Sequence, residues 1–172
     1  VDFGNNTIVI TDNREAMNSE IMCLKKKSED IVNSREYHEG LICLTACIQG
    51  ELPQLLMAGR EEEARELALK YKNLFGPDRY YIELQDHGIE DQKEVAPKLI
   101  KLAKELDIPM VVTNDIHYIE KEDAEAQDAL RCIGFKQSLN KPHQTMGEGR
   151  SEWYFKTEEE MAKLFPDYPE MI

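Results

Sequence analysis

The chain has 172 residues, 41% of them hydrophobic, with 34 acidic against 21 basic side chains and a formal charge of −13. The length suits one ordinary domain with a real core, and the apolar content excludes a compositionally disordered chain. The charge excludes a chain that wraps a polyanion unaided, because phosphate binding is driven by Lys and Arg releasing counterions.

No apolar run approaches the roughly 18 residues of a membrane span, and no signal-peptide pattern opens the sequence. Cys23, Cys43, Cys47 and Cys132 show no CxxC spacing, so free thiols in a reducing cytoplasm are expected. Val1 in place of a methionine hints at a missing start, although processing gives the same result.

The predicted elements alternate between strand and helix. A β-branched run at 7–11 precedes a charged helical stretch at about 14–32, with Ile21, Leu24 and Ile31 on one face. A second apolar run, 41–46, leads to a helix at 51–59 with Gly59 as its C-cap. The amphipathic helix 60–75 stops at Gly76-Pro77-Asp78, and 80–84 is a third strand. A helix over 91–106 places Leu99, Leu102, Ala103 and Leu106 at helical spacing, and 110–113 is a fourth strand. Beyond these come a helix at 123–133, a polar loop at 138–152 and a short extended piece at 153–155. Thr157 followed by Glu160 is a capping box for a last helix to about Leu164. Four strands separated by helices imply an α/β fold of βα units around a parallel sheet. A closed eight-fold barrel takes about 250 residues, so the chain is a small open domain or a piece of something larger.

In parallel α/β folds, ligands bind beyond the carboxyl ends of the strands. Asp12-Asn13, Cys47, Gln85-Asp86-His87 and Asn114-Asp115-Ile116-His117 stand at those four ends. In an extended segment Asp115 and His117 point the same way, and their oxygen and nitrogen suit Zn²⁺ or Mn²⁺. The alternative is that Asp115 caps a turn while His117 packs. Cys47 reads either as a thiolate ligand or as a small buried hydrophobe, and Cys43, inside a strand, as the latter. Beside Asp86 and Gly88, His87 has a turn role at least as readily as a ligand role. His38 and His143 sit in polar loops with no specific role. Asp86, Asp91 and Glu61-Glu62-Glu63 read as a solvated face, and Trp153-Tyr154-Phe155 as core packing. No catalytic triad order, Walker sequence or GxGxxG is present, so no catalytic residue is assigned.

Four segments carry a resemblance to a known family: 40–59 (GLICLTACIQGELPQLLMAG), 80–92 (YYIELQDHGIEDQ), 108–130 (IPMVVTNDIHYIEKEDAEAQDAL) and 155–170 (FKTEEEMAKLFPDYPE). In order and spacing they resemble the PHP (polymerase and histidinol phosphatase) domain of bacterial DNA polymerase III alpha subunits. The resemblance implies a partial or distorted β/α barrel with a metal cluster at its open end. Asp115 and His117 match that family's last metal-binding motif, and Cys47 a position where it places a Cys or His ligand. Its opening HxH is absent, and Thr11-Asp12-Asn13 is a faint echo of a Thr-Asp-His motif. A three-metal cluster is therefore incomplete here, and one divalent metal, Zn or Mn, is the most the three residues imply.

On this reading, residues 1–39 are an N-terminal strand–helix segment of uncertain relation, 40–135 the PHP-like region, and 136–172 a stretch leading towards an absent polymerase part. The polymerase carboxylates, with their Mg, lie outside. The resemblance implies a structural or partner-binding segment of a DNA-synthesising parent. Its partners would be other polymerase subunits and the proofreading exonuclease, with DNA reached through the parent chain and no membrane. The competing expectation is a free-standing metal-dependent phosphoesterase. A third is a non-catalytic interaction module.

Overall fold

A computed structural model describes residues 9–11, 41–134 and 151–171. The helix expected at 14–32, Asp12-Asn13, His38, His143 and most of the 138–152 loop lie outside the described residues. The chain divides into two compact units, Val1–Leu84 with Glu94–Val111, and Gln85–Lys93 with Val112–Ile172.

The first unit is organised by a sheet of β1 (Val9–Thr11), β2 (Leu41–Leu44), β3 (Tyr80–Leu84) and β4 (Met110–Val112), adjacent in that order. β2 and β3 run parallel, as the alternating pattern predicts, with Cys43 opposite Tyr80 and Leu44 opposite Tyr81. β1 departs from the expected all-parallel sheet: it pairs antiparallel with β2, Val9 opposite Cys43 and Thr11 opposite Leu41. An edge strand can join either way, and an apolar run carries no direction. Among the described residues the sheet has four strands, and the expected barrel is not among its features. β2 is shorter than its apolar run because Ala46 takes φ +64, which no strand residue holds.

Ile82 is fully buried and Tyr80, Leu41 and Cys43 nearly so, each large apolar side chain contributing about 1.5–3 kcal/mol. Burial, with the Glu83 carboxylate second, pushes the Cys43 thiol up to about 12, so it packs as a hydrophobe. α2 (Glu61–Phe75) packs against β2 and β3, and α1 (Glu51–Met57) packs on α2. Gly59 stands one position past the C-cap Ala58, at φ +72; its N–H donates to the Leu56 carbonyl and that of Arg60 to Leu55. α3 (Glu90–Leu106) buries Val95, Leu99, Leu102, Ala103 and Leu106. Lys72 of α2 donates to the Leu106 and Asp107 carbonyls at 2.7 Å each, satisfying acceptors that the end of α3 leaves open.

In the second unit, Tyr118, Ala124 and Trp153 form a core with Ile89 and Tyr154 against it. Tyr118 and Tyr154 make a parallel bridge, and the Phe155 N–H donates to the Ile119 carbonyl at 3.1 Å. A 3₁₀ turn at Lys121–Asp123 leads into α4 (Ala124–Gly134). α5 (Glu158–Leu164) begins with the predicted capping box, the Thr157 hydroxyl accepting from the Glu160 N–H and the Glu160 carboxylate from that of Thr157. Of the aromatic trio expected in the core, Trp153 is buried and Tyr154 half-buried, but Phe155 is exposed.

Candidate functional site

The loop after β4 carries the expected Asp115–His117 pair. His117 Nε2 lies 3.4 Å from Asp115 Oδ1, and both side chains are about one-third exposed, at 33% and 28%. The two meet without the extended backbone that the i, i+2 argument assumes. Asp115 has φ +43, a left-handed conformation costing a non-glycine residue roughly 1–2 kcal/mol. Burial works against the Asp115 charge, yet the hydrogen bond and charge of His117 hold the carboxyl below its ordinary range.

Beside that residue lies a buried network. His87 is 1% exposed and stacks on Trp153, ring centroids 4.3 Å apart and planes 8° from parallel. Its Nε2 lies 2.8 Å from the Asn114 carbonyl oxygen, and its Nδ1 2.8 Å from Gln92 Nε2. A carbonyl only accepts, so Nε2 carries the proton and Nδ1 accepts from the Gln92 amide. That amide's own oxygen accepts the His87 backbone N–H at 2.7 Å, which fixes its orientation. The Asn114 side chain donates to the Tyr154 carbonyl, and the His117 backbone N–H donates to the Trp153 carbonyl at 2.9 Å. Both ring nitrogens of His87 are therefore engaged by protein, so of its two expected roles the structure carries the turn. Asp86 completes it, accepting the Gly88 N–H at 2.8 Å where Gly88 takes φ +78.

Burial pushes the His87 imidazole below its ordinary value, which keeps it neutral. A histidine with a depressed folded value binds fewer protons folded than unfolded, so it favours folding above about 6.5 and this is lost as pH falls towards the depressed value. The melting temperature is expected to drop on acidification from pH 7.5 to 5, with a shallower slope in His87→Gln. An equal slope in both proteins would refute the assignment.

Cys47 belongs to the first unit, half-buried in the turn between β2 and α1. That turn is closed by the Gly50 N–H donating to the Cys47 carbonyl at 2.8 Å. Among the described residues, no three His, Cys, Asp or Glu side chains are grouped as a metal ion requires. Asp115 and His117 supply two donors where a zinc site takes three or four protein ligands. The described donors fall short of a complete ion site.

Residues 6–87 match the family described as the PHP domain. The match takes in residues ahead of Gly40, where the sequence offers only Thr11-Asp12-Asn13 as an echo. The chain is 54% identical over 137 residues to DNA polymerase III subunit alpha of Treponema pallidum, and 44% identical over 137 residues to that of Borreliella burgdorferi. It is 42% identical over 147 residues to the subunit of Campylobacter jejuni. Each comparison covers 80% of this chain and 12% of the relative, so the chain spans about an eighth of those proteins. Among the described residues, no helix is long and apolar enough to cross a membrane.

Proposed function

The chain is a segment of the DNA polymerase III alpha-subunit family and carries its PHP domain, and on that premise we propose that it serves DNA replication as a scaffolding, partner-binding part of a longer polymerase. The observation that carries this is 54% identity over 80% of the chain against only 12% of the relative. DNA synthesis, with its Mg-dependent carboxylates, belongs in this reading to the remainder of the parent. So does contact with DNA, since a segment at −13 repels phosphates. The partners proposed are the other polymerase subunits and the proofreading exonuclease, in the cytoplasm. The sheet would be part of a distorted β/α barrel; the proposed division of the chain is an N-terminal strand–helix segment at 1–39, a PHP-like region at 40–135 and a stretch leading towards the polymerase part at 136–172.

PHP domains generally bind divalent metals. Asp115 and His117 are proposed as two donors towards Zn²⁺ or Mn²⁺, supported by their 3.4 Å approach and partial exposure. Cys47 is proposed as a donor on the family resemblance alone. Bound there, an ion would supply Lewis acidity; this chain's own residues hold the two donors together. The test is to isolate the endogenous polypeptide carrying this sequence and assay primer extension. A species several times 19.9 kDa that extends primers is the expected result. A 19.9 kDa species that hydrolyses phosphoesters and extends nothing would overturn the reading in favour of a free-standing phosphoesterase.

A further inference from the structure

We propose that Gln92 is a positioning residue: by fixing the His87 ring with its proton on Nε2, it makes that ring hold the Asn114 carbonyl and so sets the Asp115–His117 pair. Gln92 is 4% exposed in the first turn of α3, and its amide has no freedom to reverse. Its oxygen takes the His87 backbone N–H at 2.7 Å, which leaves its NH₂ to face Nδ1 at 2.8 Å. Nδ1 must then accept, and the ring's one proton goes to Nε2, 2.8 Å from the Asn114 oxygen. With the opposite tautomer, Nε2 and the carbonyl would present lone pairs to each other. The stack on Trp153 fixes the ring plane, and the Trp153 carbonyl holds the His117 N–H. Asp115 is thus bracketed, Asn114 held on one side and His117 on the other. Strained backbone persists only where its surroundings over-determine it, which is what the bracket supplies at φ +43.

The ring's tautomer and contacts are independent of function. Their bearing on function rests on the reading of Asp115 and His117 as ion donors, which metal content tests separately. The experiment is ¹⁵N NMR of the whole chain labelled at histidine ring and backbone nitrogens, at pH 7.5 without added metal. The expected wild-type spectrum shows His87 with a protonated Nε2 and a bare Nδ1. Gln92→Glu keeps the shape but replaces the donating NH₂ with an oxygen that can only accept, so Nδ1 gains a proton. Where Nε2 gives up its proton in exchange, the backbone amides of Asn114 through His117 are expected to shift; where the glutamate keeps the ring doubly protonated, Nε2 still donates and they stay. A wild-type His87 protonated on Nδ1 overturns the proposal outright, whether or not the variant folds. A variant whose Nε2 is bare while those amides stay in place overturns the positioning role, and so does one whose Nε2 stays protonated while they shift.

Discussion

Trp153→Ala is expected to destabilise the second unit by about 4 kcal/mol, read from urea denaturation followed by far-ultraviolet circular dichroism. The indole is 7% exposed at the centre of the Tyr118–Ala124 core. Its loss removes the face on which His87 stacks at 4.3 Å, so a buried imidazole with two committed nitrogens loses its packing. The cavity would be lined by polar as well as apolar atoms, and a water entering it would compete for the His87 and Asn114 hydrogen bonds. Two residues along, Phe155 is 63% exposed, and Phe155→Ala is expected to stay within about 0.5 kcal/mol. Equal costs for the two substitutions would mean that the inward and outward faces of this segment are misassigned. Trp153 is the chain's one tryptophan, so wild-type indole fluorescence reports on the second unit.

The contrast between these neighbours marks what could be read from the sequence. β3 is legible to the residue, because Tyr80 to Leu84 is β-favouring, apolar apart from Glu83, and bounded by Gly76-Pro77-Asp78 and by Gln85-Asp86. The Thr157–Glu160 capping box is legible because its two hydrogen bonds need those side chains three residues apart. The direction of β1 is not, since period-2 patterning says which face is buried and nothing about which way a strand runs. Asp115 and His117 do meet, but through a left-handed aspartate rather than an extended one, so the two side chains converge by a geometry that the spacing rule does not describe. Gln92, His87 and Asn114 left no periodic trace. Gln92 lies five positions beyond His87 across a turn into a helix, and Asn114 contributes a carbonyl that any residue would have. Such a network becomes visible only when the buried polar atoms are followed to their partners.

In the first unit a large single-site effect is expected at Gly50, and for a steric reason rather than a conformational one. Gly50 has φ −63, which any residue adopts, but a Cβ placed there would stand 2.3 Å from the Thr45 carbonyl oxygen and 3.0 Å from that of Cys47. Both are backbone atoms, so no rotamer change relieves the clash and the whole turn must move. That turn is tied at three points. The Gly50 N–H donates to Cys47 at 2.8 Å, Gln54 Nε2 donates to the Ile48 carbonyl at 2.6 Å, and the Thr45 hydroxyl accepts the Glu83 N–H of β3 at 2.8 Å. Gly50→Ala is therefore expected to cost about 3 kcal/mol, the upper part of the range for overpacking a close-packed site. Gly59→Ala is the matched control, with nothing within 4 Å of its Cβ position but φ +72, and should cost about 1 kcal/mol through backbone strain. Urea denaturation of the two variants decides between the mechanisms. If Gly50→Ala proved as mild as Gly59→Ala, the turn that presents Cys47 would have room that this structure does not give it.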